Sequence, residues 1–446
     1  MTGSTEKRKA HGPTVNALKR AKFEAKQERL RQASLEKQQS HQLGPQTSAD
    51  AQQWRSWFNE DREEYADFIT RKDVLRIKEL KQKQHQSADN NVCKAEDERL
   101  QRIASWIEPF FDLKRSDALS AAQCNEEERI FISEGTEAVR VMIQRCDSCP
   151  LDSETKVTKS EGVEDAKDES ESPPPVRIRS ILCKPNTYFE APVRLVDDVE
   201  KRIANNSQPP FKVIIGSEDA LSEIAGFNIA RGALACGVVP TYFKHNGYKW
   251  LRNTIRQKKG MRLLALDAVS DTANLGSIIR TAAALSIDAV ILSDDSCDAF
   301  YRQSVRVSMG HVINVPILRV SDWRRGFSGN NDMSQSKSAG LAEFITWLRG
   351  QMNVQCLAAV VDDETDIRKD SQPPLISLES LTQRTRKESW CCVLGNEGNG
   401  IRKEVIKECN QRIKISMATG IDSLSLPVAA AILMHGLGQT MTDTNS

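Results

Sequence analysis

At 446 residues the chain exceeds one ordinary core, and typical domain sizes predict two folded domains with extra segments. Its 62 Lys and Arg against 61 Asp and Glu give a net charge of +1, so the total points to no partner; the two signs are separated along the chain instead. No apolar run approaches the roughly 20 residues of a membrane helix and no signal-peptide core follows Met1, so a soluble intracellular protein with no membrane partner is expected.

Residues 1–50 read as a basic arm without a buriable stripe. Lys7-Arg8-Lys9 and Lys19-Arg20-Ala21-Lys22 suit an import signal, a phosphate-binding tail or a merely solvated charge run, and nucleus and cytoplasm are both compatible. In residues 51–126, Trp57, Phe58, Phe68, Ile69, Val74, Leu75, Ile77 and Leu80, then Leu100, Ile103, Trp106, Ile107 and Phe110, recur at near-helical spacing and predict a helical extension. A small α/β domain is expected over 127–245, with strands Arg129–Ile132, Ile178–Cys183, Phe211–Ile215 and Ala233–Val239. Its acidic, Ser- and Pro-rich insertion 147–175 is expected to be disordered.

Lys244 to Lys259 reads as a polar, basic connection. Beyond it, over 258–442, apolar strands alternate with glycine turns and helices, the pattern of a mostly parallel sheet. The predicted strands are Leu263–Ala268, Ala289–Leu292, Val312–Val315, Val354–Val361, Trp390–Leu394 and Gln411–Ile415, with a polar loop at Ser328–Ser338.

The 11 cysteines lack regular spacing and several lie in apolar runs, which implies a reducing compartment. Cys146-x-x-Cys149 has neither a second pair nor nearby histidines, so a fortuitous pair is favoured over a metal site, and no metal is expected anywhere.

Three constellations carry chemistry. In the first, Asp267 to Ala282 runs from a strand end through a turn into a helix. Gly276 permits close approach there, and Arg280, one helical turn on, faces the crevice where ligands of open α/β sheets bind; a buried helix with a solvent-exposed arginine fits nearly as well. The second, Val393-Leu394-Gly395-Asn396-Glu397-Gly398-Asn399-Gly400-Ile401, places glycines around one carboxylate, as a nucleoside-lining turn or a purely structural one would. The third, Ile415 to Ala431, is a strand end, a polar loop and an Ala-rich helix with Ser423 or Ser425 near its start. His311 and His435 read as structural.

Together, in this order and spacing, these stretches resemble the three signature motifs of the SpoU/TrmH methyltransferases. Asp298 to Gly310 resembles a stretch of the tRNA/rRNA members, and Ile132-Ser-Glu134-Gly135 with Ala225 to Ala235 resembles their substrate-binding domain. The resemblance implies an α/β fold whose C-terminal parallel-sheet domain holds a deep trefoil knot (the SPOUT architecture), homodimers, and S-adenosylmethionine as methyl donor. It further implies methyl transfer to a ribose 2′-hydroxyl of tRNA or rRNA.

By the same resemblance, Arg280, Asn274, Glu397 and Ser425 are the catalytic positions. Leu394, Gly395, Gly400, Ile415, Met417, Ser423 and Leu424 are the donor contacts, and Arg302 and Arg306 touch RNA. Two positions depart from the family pattern: Ser416 stands where proline is usual and Ser425 where asparagine is usual. A catalytically weak RNA-binding scaffold and a base methyltransferase are the alternative readings.

Overall fold

In a computed structural model, the described residues are 66–84, 95–111, 113, 129–146, 176–189, 194–204, 211–229, 232–258, 260–327, 339–361, 372–380, 388–418, 421 and 423–438. The basic arm with its Lys7 to Lys22 clusters, Trp57, Phe58, the acidic insertion, Cys149 and the Ser328–Ser338 loop lie outside them.

The N-terminal sheet has five strands, β1 (Ala66–Ile69), β2 (Ile130–Glu134), β3 (Ile178–Cys183), β4 (Lys212–Gly216) and β5 (Ala233–Val238), in the order β1-β4-β3-β5-β2. β1, β4 and β3 run parallel, and β5 is antiparallel to both β3 and β2. The helices are α1 (Arg71–Gln84), α2 (Ala95–Ile107), α3 (Thr136–Arg145), α4 (Pro185–Phe189), α5 (Leu195–Ala204) and α6 (Glu218–Ala225).

The predicted helical extension differs from the structure at its start. Phe68 and Ile69 lie in β1, an edge strand paired Ala66 to Val213 through Ile69 to Gly216. Ile69, Val74, Ile77, Leu100, Ile103, Ile107 and Phe110 share one buried cluster with Leu182, Ile214, Leu221 and Leu234, so these residues and the sheet behind them form one domain. The Ser180 hydroxyl donates to the Trp106 carbonyl at 2.8 Å and fastens α2 to β3.

α7 (Tyr242–Gln257) occupies the segment expected to be a connection. Phe243, Leu251 and Ile255 line its buried face and belong to the core of the second domain. Gly247 lies on the same stripe, where a Cβ would stand 3.1 Å from Leu318 Cδ2; the stripe is hard to read because a glycine and several cations interrupt it.

The second sheet is seven-stranded and parallel throughout: β6 (Arg262–Leu266), β7 (Ala289–Leu292), β8 (Ile317–Arg319), β9 (Gln355–Ala359), β10 (Leu375–Ser377), β11 (Trp390–Leu394) and β12 (Gln411–Lys414), ordered β10-β12-β9-β11-β6-β7-β8. α7, α10 (Val320–Phe327), α11 (Ala339–Met352) and α12 (Lys403–Glu408) supply one face, with Leu341, Phe344, Trp347 and Leu348 in the core they share with the sheet. α8 (Thr272–Ala284) and α13 (Leu426–Gly438) pack together, and α13 also meets β11. The short α9 (Arg302–Val307) lies on α8.

The strand expected at Val312–Val315 is a 3₁₀ turn, His311–Ile313. Gly310, at φ 77°, breaks the chain there, and β7 pairs instead with Ile317–Arg319 beyond Pro316.

Candidate active site

β6 and β11 are neighbours in register from Arg262–Trp390 to Leu266–Leu394, so the segments that follow them leave the sheet side by side. This brings the first two motifs together. The crevice at the carboxyl ends of parallel strands, where the chain order departs to opposite sides, is where α/β sheets bind ligands.

The junction is held by a buried ion pair. Asp267, 0% exposed, accepts from the Arg402 backbone amide at 2.9 Å and Nε at 2.8 Å, and also from Nη2. Arg402 reaches Asp295 at 3.3 Å through Nη1. Neither Asp267 nor Arg402 was assigned a role from sequence; the strand-end carboxylate was visible, but its partner lies 135 residues on.

Asn396 performs the next tie. Its amide donates to the Ala268 carbonyl at 2.8 Å, while its Oδ1 accepts from the Gly398 amide at 2.8 Å, and its backbone exchanges hydrogen bonds with Gly400. A Cβ on Gly395 would stand 2.1 Å from the Gly400 carbonyl carbon, so the loop closes only with glycine there. Ala268 itself sits at φ 56° and is fixed by the Ser293 hydroxyl, which accepts from its amide at 2.8 Å. Arg319 holds that neighbouring loop by donating to the carbonyls of Ser296 and Cys297 at 3.2 and 3.1 Å.

Within this frame Asn274 donates to Glu397 Oε1 at 2.7 Å, joining two of the predicted catalytic side chains. Asp271 caps α8, accepting from the amides of Ala273 and Asn274 at 2.7 and 2.8 Å. Arg280 is exposed on the same helix and, among the described residues, has no hydrogen-bond or ion-pair partner. The nearby His311 imidazole has its pKa lowered, first by burial and then by the Arg280 and Arg145 charges, so its neutral form is favoured.

Gly276 serves a different approach from the expected one. A Cβ there would meet the Ser304 carbonyl at 2.6 Å and Val307 Cβ at 2.9 Å, so the glycine seats α9 on α8; no ligand is needed to explain it.

Of the predicted donor contacts, Leu394 and Gly395 are buried at the strand end, Gly400 is exposed at φ 67°, and Ile415, Met417 and Leu424 are half-buried on the segments between β12 and α13. Ser423 and Ser425 are exposed, and the Ser425 carbonyl accepts from Ala429 N at 3.0 Å to open α13. Where proline is usual, the Ser416 hydroxyl donates to Glu379 Oε2 at 3.0 Å and ties the end of β12 to the 3₁₀ turn after β10.

Arg302 and Arg306, expected to touch RNA, face the N-terminal domain. Arg302 donates to the Leu113 carbonyl at 2.9 Å, covers the Phe227 ring at 4.8 Å and stands 3.6 Å from Glu134; Arg306 stands 3.8 Å from the same carboxylate. The Arg302 guanidinium is taken up inside the protein, while Arg306 remains about half exposed. Arg129–Asp298, Phe131 against Phe300 at 5.3 Å, and Gly310 against Ala138 complete this seam.

Cys146 is buried and its thiol donates to Ile143 O at 3.2 Å. No metal-ligating cluster occurs among the described residues, nor any helix long and apolar enough to cross a membrane.

The SpoU rRNA Methylase family model matches residues 261–435. An uncharacterized tRNA/rRNA methyltransferase of Mycobacterium tuberculosis is 29% identical over 244 residues, 54% of this chain and 70% of the relative. The 23S rRNA (guanosine-2′-O-)-methyltransferase RlmB of Bordetella pertussis is 30% identical over 173 residues, 39% of this chain and 57% of that protein. A solved rRNA methyltransferase from Sinorhizobium meliloti aligns over 84% of this chain and 97% of its own, at 19% identity and a TM-score of 0.48.

Proposed function

Since residues 261–435 form an RNA methyltransferase domain of the SpoU family, we propose that the protein transfers a methyl group from S-adenosylmethionine to a ribose 2′-hydroxyl of tRNA or rRNA, at the crevice between β6 and β11. The relatives include guanosine-2′-O-methyltransferases, which supports the ribose as the acceptor. The observation that carries the reading is the joining of Asn274 to Glu397 at 2.7 Å on the helix that also bears Arg280, an exposed arginine with no hydrogen-bond or ion-pair partner among the described residues.

The residues suit such a donor. A Cβ on Gly400 would meet nothing within 4 Å, so the backbone of this loop faces open space along which a nucleoside can lie. Ile415, Met417 and Leu424 offer partly exposed apolar surface for its adenine. The donor, when bound, supplies an already activated methyl on a sulfonium.

Arg280 contributes a guanidinium cation where the ribose oxygen gains negative charge. Glu397 and Asn274, hydrogen-bonded to one another, orient the acceptor sugar, and the Asp267–Arg402 pair keeps both motifs fixed so that the geometry exists before substrate arrives. In this reading Ser425, at the mouth of α13, stands beside the acceptor with a hydroxyl in place of an amide. The knotted path of the C-terminal segment belongs to the same proposal.

α13 also supports a homodimer. Ala430, Leu433, Met434 and Leu437 face inward, while Val428 and Ile432, 47% and 37% exposed, offer apolar surface beside the exposed His435 for another copy to cover.

Transfer of labelled methyl from S-adenosylmethionine to total RNA, with nucleoside analysis of the product, tests the reading. A labelled 2′-O-methyl nucleoside that disappears with Arg280→Ala is the expected result. Label on a base would move the acceptor off the ribose, and folded protein that binds RNA without labelling it would favour the scaffold reading, with Ser425 as its cause.

A further inference from the structure

The 3₁₀ turn His311–Ile313 lies at the seam, packing on α8 of the catalytic domain and on α3 of the N-terminal one. Two close approaches set its place. Gly276 seats α9 on α8, and Arg280, one helical turn beyond that glycine on the same face, lies toward the turn that α9 leads into. On the other side a Cβ on Gly310 would stand 2.9 Å from the Ala138 carbonyl oxygen, and Arg145 lies about two helical turns beyond Ala138 on the same face of α3. His311 therefore has an arginine from each domain acting on it: burial first, then the Arg280 and Arg145 charges, favour its neutral form.

These arginines differ from others at the seam. Arg129, Arg140, Arg302 and Arg306 each stand by a carboxylate, that of Asp298, Asp198 or Glu134. The side chains of Arg145 and Arg280 are exposed without a hydrogen-bond or ion-pair partner among the described residues, and so is that of Arg177. Arg177 is a neighbour of Arg145, because Cys146 and Val176 form a parallel bridge that the two arginines flank. Cys146 and Val176 are buried, which turns the flanking arginines to solvent. A helix C-terminus by itself favours a cation such as Arg145, but Arg177 lies outside any helix and has no such reason to be there.

Cations gathered without acids repel one another, a cost that a bound polyanion removes. Guanidinium groups present paired N–H donors that match phosphate oxygens. The Asn314 amide nitrogen stands 2.8 Å from His311 Nδ1, so the neutral ring accepts there and carries its proton on Nε2, a further donor.

We propose that Arg145 and Arg177 of the N-terminal domain, with His311, bind consecutive phosphates of single-stranded RNA leading into the pocket at Arg280, so that the active site is completed across the seam. The cations continue outward from the reacting arginine over both domains, a path that a chain of phosphates fills and one small anion does not. Such contacts fix the register of the strand without reading its bases. This assignment rests on the RNA methyltransferase reading.

Fluorescence anisotropy of a labelled oligouridylate of about ten nucleotides, titrated with the full chain over a range of salt concentrations, tests it. Arg145→Gln and Arg177→Gln should each weaken binding about tenfold and lower the slope of log K against log salt by about 0.7, one phosphate contact on a single strand. Arg145→Lys, which keeps the charge, should restore the slope. S-adenosylmethionine binding and the unfolding midpoint should stay in place in both glutamine variants. Unchanged affinity and slope in either glutamine variant overturns the proposal and leaves that arginine to the acidic stretch 147–175, whose ends adjoin both. Methyl transfer with the same preparations separates the two readings. An RNA pool left unlabelled by wild-type protein counts against the methyltransferase alone, whereas normal labelling with unaltered RNA binding in the variants counts against the phosphate track alone. With both correct, Arg177→Gln raises KM for RNA and spares kcat.

Discussion

Asp267 and Arg402 show how one contact can serve both stability and function. Removing the arginine leaves a fully buried carboxylate whose remaining donor is a backbone amide. Arg402→Met is expected to lower stability by about 3 kcal/mol, since breaking one side of a buried pair strands the other charge; the shift in denaturant midpoint measures it. Gly276→Ala places a methyl 2.6 Å from a backbone oxygen, where no flexible side chain can yield. A loss of about 1–3 kcal/mol is expected from such overpacking, read in the same unfolding experiment. Arg280→Ala, on an exposed side chain without a hydrogen-bond or ion-pair partner among the described residues, should leave the unfolding curve in place while kcat falls by about a hundredfold or more, the scale of a lost charge-stabilising donor. At this scale Asn274, Glu397 and Gly395 could be picked from sequence because their motifs are local. Arg402, Arg319 and Ser293 could not, because each acts across a strand crossing that sequence spacing does not display.

Among the elements, strands buried on both faces were the most legible: Ile178–Cys183, Ala289–Leu292 and Trp390–Leu394 coincide with their predicted spans, since unbroken apolar runs leave little choice of boundary. β1 was misread because a four-residue strand whose inner side meets α1 and α2 shares its apolar spacing with the helix that follows. α13 carries information of another kind, an excess of apolar surface over what the monomer buries. The proposed dimer predicts that Ile432→Glu lowers the mass seen in light scattering to that of a single chain, with helix content retained, because Ile432 keeps 37% of its surface exposed in a single chain.

Across the whole molecule, the seam between the sheets fixes how the N-terminal domain faces the catalytic one. Arg302 bridges Leu113, Phe227 and Glu134 across it, so Arg302→Ala should split thermal unfolding into two transitions, whereas Arg306→Ala, which among the described residues loses one long ion pair, should leave one. The presence of two separate sheets was legible from alternating elements. Their mutual docking was not, since Arg129, Phe131 and Glu134 pair with Asp298, Phe300 and Arg302 only after both domains have formed.

The parallel pairing of β6 with β11 bears on the birth of the protein as well as on its site. Met261 meets Ser389 across 128 residues of chain, so on the ribosome β6 emerges long before the neighbour that completes its hydrogen bonds. Until β11 arrives, one edge of β6 is open to whatever strand is near, and contacts this distant in sequence form slowly. A nascent chain stalled between β9 and β11 would therefore present an unpaired apolar strand to chaperones, and codon choice in that interval becomes a determinant of yield.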